Sequence, residues 1–451
     1  MREKWQKPTQ FDNNIIVIGG GAAGLVSSYI AAAVKAKVTL IEKHKMGGDC
    51  LNTGCVPSKA LLKSSKILSL MKRSHEFGIQ NIDATFSFAD IMLRVQKVIS
   101  EVAPHDSVER YTELGVNVVE GEAKIISPWA VEVKTASGLE IITARSLVIA
   151  TGAKPFIPPI KGLEKIDYLT SDTVWDLREP PKKFLVLGGG PIGCELTQAF
   201  SRLNIEVVQV EMGTRLLPRE DVDVSEVILD KFSREGIDVR LEHKAVEFVI
   251  EQGKKYLIAE HQGQKVNIEF DKVLLAIGRA ANVSGYGLEA LGVELSPRKT
   301  VKINDFQQTN FDNIYACGDV SGPYQFTHTA AHQAWYVAVN ALFGSVKKFR
   351  TDYSVIPWAT FTDPEVARVG LNELEAQEQG IKYEVTQYGI DDLDRAIADG
   401  EAHGFVKILT VPKKDKILGV TIVGEHAGDL IAEFVLAMKH NLGLNKVLGT
   451  I

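Results

Sequence analysis

Two stretches of this sequence follow one pattern: a short apolar run, three consecutive glycines, a helix-forming run, then a second apolar run that closes on a glutamate. The first comprises IIVIGGGAAGLVSSYIAAAV (15–34) and KVTLIEK (37–43), and the second is FLVLGGGPIGCELTQAFSRLNIEVVQVE (184–211). The first run is long and apolar enough to imitate a membrane span. Its glycines would weaken any such helix, however, and the run divides more naturally into strand, tight turn and helix. Within each stretch the glycines fall in G-x-G-x-x-G spacing, as Gly19, Gly21 and Gly24 and again as Gly188, Gly190 and Gly193. The first glycine of such a set makes the turn, the second admits a pyrophosphate and the third lets helix and strand pack closely. The helix N-terminus then offers amide donors and a favourable dipole to the anion. Glu42 and Glu211 each stand 23 positions after the first glycine, where a carboxylate accepts hydrogen bonds from ribose hydroxyls. One such stretch is weak evidence, but two with the same internal spacing imply a chain built for two dinucleotides. Enzymes of that kind pass a hydride from nicotinamide to flavin. A carboxylate at Glu211 repels a 2′-phosphate and so favours NADH over NADPH, a preference that Arg215, four residues on, could soften.

At 451 residues the chain is long enough for two to four domains. Its 57 acidic and 51 basic residues give a formal charge of −6 without a basic block, which argues against a nucleic-acid partner. Four cysteines in this length and an N-terminus without an apolar signal region point to a cytoplasmic protein with no membrane partner.

Two of the four cysteines, Cys50 and Cys55, lie in GGDCLNTGCVPSK (47–59). In an ideal helix, residues five apart have Cα atoms about 8 to 9 Å apart, whereas a disulfide tolerates about 7 Å. A bridge therefore requires a distorted backbone. Gly54 permits unusual dihedrals, and Pro57 has no N–H to offer the carbonyl of Thr53. The run that follows, SKALLKSSKILSLMKRS, has helical periodicity with the proline in its first turn. The pair is thus expected at a helix N-terminus, where the dipole lowers a thiol's pKa. A bridge closing so small and contorted a loop suits redox chemistry better than stapling. The alternatives are a buried pair of thiols or half of a zinc site, which would want two further ligands at short spacing.

These motifs, together with LVIATGAKP (147–155), LLAIGRAAN (274–282) and NIYACGDVSG (313–322), resemble the pyridine nucleotide-disulfide oxidoreductases over nearly the whole chain. The Ser58-Lys59 ending of the cysteine motif looks closest to the dihydrolipoamide dehydrogenase and mercuric reductase-like members. The resemblance implies an α/β fold with two Rossmann-like dinucleotide-binding domains, one for FAD and one for NAD, plus a C-terminal α+β dimerisation domain. It places FAD on the first fingerprint, with Glu42 on its ribose and Asp319 on its ribityl chain, and NADH on the second. By the same resemblance Gly48, Thr151, Gly152 and Gly278 join the cofactor-binding set. Lys59 and Glu195 match an ion pair beside the flavin's reactive nitrogen, where a cation stabilises negative charge on the reduced ring. Cys55 becomes the thiol nearest the flavin and Cys50 the interchange thiol that attacks substrate. Electrons then pass from NADH through FAD to the disulfide. The acceptor is expected to be a lipoyl-type disulfide or, alternatively, a mercuric or cupric ion or a quinone.

Three departures from the family pattern carry expectations of their own. Asp49 replaces a threonine or similar small residue and adds a carboxylate near the redox pair. Pro191 stands where some members place a tyrosine over the flavin. The sequence ends at NLGLNKVLGTI, where a histidine-proline stretch supplying an acid/base to the partner subunit is expected to begin. Interchange with a lipoamide-like substrate is accordingly expected to be impaired by about two to four orders of magnitude.

The expected organisation is an FAD domain over 13–152, a nucleotide insert over 153–280, a return to the FAD domain over 281–345 and a dimerisation domain over 346–451 that is incomplete at its C-terminal end. AVEVKTASGLEIITA (130–144) alternates as strands do, 88–114 reads as a long helical stretch, and FVKILT and KILGVTIVGE read as adjacent strands. Cys194 and Cys317 read as buried, inert thiols. His328 and His332 share a helical face but lack an intervening acid or a third ligand, so they read as helix packing, and no metal-binding residues are assigned.

Overall fold

The computed structural model describes residues 5–80, 82 and 84–451. The chain divides into two compact units. One gathers the described residues up to Pro57 with Gln96–Lys154 and Arg279–Asp352; the other consists of Ser58–Val95, Pro155–Gly278 and Tyr353–Ile451.

In the first unit, strand β1 (Asn13–Ile18) runs into helix α1 (Ala22–Ala33) and returns through strand β2 (Val38–Glu42). The run 15–34 is therefore strand, turn and helix, and no helix among the described residues is long and apolar enough to cross a membrane. Further along, β3 (Asn117–Glu120), β4 (Glu122–Ser127), β5 (Ala130–Thr135) and β6 (Gly138–Ile149) complete a sheet ordered β3-β2-β1-β6-β5-β4, with Ile314–Ala316 added beside β6. β1 lies parallel to β2 and to the second half of β6, in register Ile15 to Val38 and Ile15 to Ser146. The alternating stretch 130–144 is the antiparallel hairpin of β5 and β6, closing at Thr135 and Gly138.

Both faces of β1 are covered, so its apolar run is continuous and Ile15, Ile16 and Val17 are fully buried. One face packs on Ile125, Val131, Leu288 and Leu291. The other packs on α1 and on the helix Thr327–Phe343, where Ala23, Ala31, Ala330 and Ala334 are small enough for close approach. Each fully buried isoleucine or leucine contributes about 1.5–3 kcal/mol to this core.

The second unit repeats the design. Asp238–Arg240, Glu206–Val210, Lys183–Leu187, Lys272–Leu275 and Tyr168–Thr170 form a five-stranded parallel sheet, and Pro191–Arg202 is the helix after the first βα turn. This unit also holds a five-stranded antiparallel sheet ordered Pro357–Thr360, Glu365–Gly370, Ile417–Gly424, Phe405–Thr410 and Glu384–Gly389, with the helix Ala427–Lys439 packed on it. FVKILT and KILGVTIVGE are neighbours there, paired from Phe405 and Val423 onward.

The 88–114 stretch is not one helix. It breaks into Phe88–Val102, a 3-10 turn over Ala103–Asp106 and Val108–Glu113. Pro104 cannot donate to the ladder, and the Ser107 hydroxyl caps the next helix by accepting from the Arg110 amide at 3.1 Å.

Candidate functional site

The two glycine turns have the same geometry. Gly19 sits at φ 109° and Gly188 at φ 120°, and a Cβ on either would lie 2.3 or 2.4 Å from the carbonyl oxygen of Ala150 or Ala276, the residue just past the end of the adjacent strand. A Cβ on Gly24 or Gly193 would fall 1.8 or 2.2 Å from the Gly19 or Gly188 carbonyl oxygen, so only glycine lets each helix lie against its turn. The middle glycines differ: a Cβ on Gly190 would meet nothing within 4 Å, and one on Gly21 only the Gly48 Cα at 3.7 Å. Space is open there, beside helix N-termini capped by no side chain. These cradles fit the pyrophosphates of two dinucleotides. Gly48 closes the first from the side, at φ 55° with its backbone against the Gly21 Cα.

The strand-terminal glutamates are held alike. Glu42 accepts from the amides of Gly20 at 2.6 Å and His44 at 2.7 Å, and Glu211 from those of Gly189 and Gly213, both at 2.6 Å. Arg215 turns away from this carboxylate and donates to the Pro218 carbonyl at 3.0 Å.

The cysteine motif folds as a five-residue helix α2 (Gly48–Asn52), a break at Thr53 and Gly54, and helix α3 (Cys55–Lys72). Gly54 has no positive φ. Its small size matters instead, because a Cβ would press to 3.0 Å on the Asp49 carbonyl oxygen. The break removes the ideal-helix separation and brings the two cysteines together as thiols, with hydrogen-bonding side chains. Cys55 is exposed and Cys50 half-buried. The Thr327 hydroxyl, at the first residue of its helix, reaches Cys55 Sγ at 3.4 Å and also hydrogen-bonds Cys50. The lowered thiol pKa expected at this position is not found at Cys50. Its proton is held by the bond to Cys55, and burial adds to this, so its pKa is raised. Only Cys55 occupies the N-terminus of α3, where the dipole favours negative charge.

Asp49 is not poised beside the sulfurs as an independent carboxylate. It is ion-paired with Arg279, which also stands 3.7 Å from Asp319 and donates to the Ala153 carbonyl at 3.0 Å. Burial pushes the Asp319 carboxyl up to about 6 against the pull of Arg279, with Asp49 and Cys55 adding to the rise. Thr151 donates to the Asn282 carbonyl at 2.9 Å and lies 3.0 Å from the Tyr286 hydroxyl, while Gly152, at φ 65°, accepts from the Asn282 amide. In the second unit, Gly278 at φ 121° accepts from the Phe156 amide.

In that unit Lys59 and Glu195 meet at 3.0 Å. Glu195, nearly buried, also accepts from the Phe361 amide at 2.9 Å, and the Lys59 ammonium sits 4.3 Å from the centre of the Phe361 ring. Pro191 opens its helix at the first position, where a missing N–H costs nothing. Cys194 and Cys317 are fully buried, and burial raises both thiols to about 12. His332 binds the Asp352 carbonyl at 2.7 Å and His328 stacks on Phe326.

Sequence reasoning missed Arg279 and Thr327. Arg279 was within reach, since it follows Gly278 in the quoted LLAIGRAAN. Nothing in QFTH marks Thr327 as a neighbour of sulfurs some 270 positions away.

Residues 13–334 match the sequence profile described as Pyridine nucleotide-disulphide oxidoreductase, and 356–451 match that of its dimerisation domain, which supports a homodimer. A mercuric reductase of Lysinibacillus sphaericus is 37% identical over 439 residues, covering 97% of this chain and 79% of that protein. A dihydrolipoyl dehydrogenase of Chlamydia muridarum is 34% identical over 448 residues, covering 97% and 92%. Among solved structures, the Cu(II) complex of the HOCl-induced flavoprotein disulfide reductase RclA from Escherichia coli superposes with a TM-score of 0.86 at 25% identity, over 98% of this chain and 96% of that one. LpdA from Mycobacterium tuberculosis gives 0.88 at 25% identity, over 97% and 96%. With two dinucleotide cradles, a thiol pair at a helix break and these relatives, the chain belongs to the pyridine nucleotide-disulphide oxidoreductase family, as an enzyme that uses FAD and a nicotinamide nucleotide.

Proposed function

We propose that this chain carries electrons from NADH through FAD to the Cys50–Cys55 pair and on to a dithiol/disulfide substrate such as lipoamide. The observation that carries this reading is the pair itself, two thiols in mutual hydrogen bond beside the Thr327 hydroxyl. Gly19, Gly21, Gly24, Gly48, Glu42, Thr151, Gly152 and Asp319 would hold FAD, and Gly188, Gly190, Gly193, Glu211 and Gly278 the nicotinamide nucleotide. Bound FAD supplies the two-electron relay between nicotinamide and sulfur. Glu195 holds the Lys59 ammonium in place, and both oxygens of Glu211 point at backbone amides, a fixed carboxylate that favours NADH over NADPH. Cys50 attacks a substrate disulfide to give a mixed disulfide; Cys55 resolves it, restoring the internal bridge and releasing two substrate thiols. The proposed domain bounds are 13–152, 153–280, 281–345 and 346–451.

A second reading, reduction of a soft metal ion by the same dithiol, is supported by the relatives named mercuric reductase. One experiment separates the two. Anaerobic NADH titration of the flavin-loaded protein should bleach the flavin and raise a long-wavelength band that Cys55→Ser removes, with NADPH less effective than NADH. Persistence of that band in Cys55→Ser would overturn the cysteine assignment. Faster turnover with lipoamide than with Hg²⁺ or Cu²⁺ supports the disulfide acceptor, and the reverse order supports the metal.

A further inference from the structure

The second unit buries a cluster of donor atoms that the proposed electron route does not use. Asp363 lies in the link between strands Pro357–Thr360 and Glu365–Gly370, and Glu401 and His403 lead into strand Phe405–Thr410. One donor atom from each of Asp363, Glu401 and His403 lies within 4.8 Å of the others. Both carboxylates are 6% exposed. An arginine grips one oxygen of each: Arg202 holds Asp363 Oδ2 at 2.6 Å and Arg73 holds Glu401 Oε1 at 2.9 Å. The remaining oxygens, Asp363 Oδ1 and Glu401 Oε2, are buried without a hydrogen-bond partner, and His403 Nε2 stands 3.5 Å from Glu401 Oε2.

Buried carboxylate oxygens stripped of water are costly unless positive charge or donors reach them. The arginines supply charge but each reaches only one oxygen of its carboxylate and is itself shared, Arg73 with Glu76 and Arg202 with Glu235, so no donor reaches the second oxygens. Two carboxylates and an imidazole form a mixed O/N donor set suited to borderline divalent ions. Donors bound to one ion at about 2.1 Å lie within about 4.2 Å of each other, so slight side-chain rotation closes the set.

We propose that Asp363, Glu401 and His403 form a binding site for one divalent transition-metal ion of the zinc or manganese class. An ion there ties the Asp363 link to the segment before Phe405–Thr410. The link is already anchored, since the Asp363 amide donates to Gln198 Oε1 at 2.7 Å and its carbonyl accepts from Gln198 Nε2 at 2.8 Å. The site therefore serves stability rather than turnover.

The test uses flavin-loaded protein carrying Cys50→Ser and Cys55→Ser, because the thiols bind soft metals themselves. After chelator treatment, calorimetric titration with Zn²⁺ or Mn²⁺ alone should show one equivalent per chain and raise Tm by a few degrees. His403→Ala, at a half-exposed position that tolerates truncation, should weaken binding by more than the ~10- to 100-fold lost even from outer-shell partners, and abolish the rise. Glu401→Gln, which preserves shape, should do the same. No stoichiometric binding up to about millimolar metal, or equal binding in both variants, would overturn the proposal.

Discussion

Asp319 is where residue-scale physics sets a pH dependence. Its carboxyl, at about 6 in the folded protein against 3.8 ordinarily, loses more by leaving water than the Arg279 guanidinium returns. Between those values the folded state holds more protons than the unfolded chain. Ionisation of Asp319 therefore lowers stability as pH rises from about 4 to about 6, with the full penalty present above that window. Asp319→Asn should flatten urea-unfolding free energy across this range and gain on the order of 2–3 kcal/mol at neutral pH. An unchanged slope would show that another group titrates there. The sequence identified Asp319 through the ACGD motif, but it could not show the coupling to Asp49, which lies 270 positions away and reaches it through Arg279. Asp49 stood out in the sequence only as an extra charge beside the sulfurs; its ion pair with Arg279 is a product of folding.

At the scale of elements, glycines decide how closely a turn approaches its neighbours. Gly48 begins α2 with a positive φ and its backbone against Gly21, so a methyl there meets the Gly21 Cα at 2.6 Å. Gly48→Ala combines about 1–2 kcal/mol of left-handed backbone cost with displacement of the first fingerprint. It should raise the FAD dissociation constant about tenfold or more, measured by flavin fluorescence on dilution, while secondary structure by circular dichroism stays unchanged. The strand-turn-helix units were legible because their periodicity and glycine spacing are local. The break between α2 and α3 was legible in part: Pro57 and Gly54 announced a distortion, but Gly54 serves by lacking a Cβ near the Asp49 carbonyl, not by adopting a rare φ. The single helix expected over 88–114 failed because Pro104 and the Ser107 cap outweigh the surrounding apolar periodicity.

At the scale of the whole molecule, buried charge shows how far the second unit depends on distant partners. Lys407, 2% exposed, meets Asp221 at 3.2 Å, Asp223 at 2.5 Å and Glu373 at 3.0 Å. Lys407→Met strands these carboxylates, of which Asp221 is almost fully buried, and should cost about 3–5 kcal/mol in equilibrium unfolding. A loss under about 1 kcal/mol would mean that water replaces the ammonium. No local pattern marks Lys407 as buried, since FVKILT reads as a strand whatever fills its polar position. The sequence alone determined what short-range sterics and repeating pattern encode: two dinucleotide cradles, the glutamates that end their second strands, and a cysteine pair that helix geometry must be broken to join. Only the tertiary structure decided which charges meet across hundreds of residues, because Coulombic and desolvation energies depend on distance and burial in space. Those quantities placed Arg279 between Asp49 and Asp319, put Thr327 against the sulfurs, and raised the pKa of the Cys50 thiol.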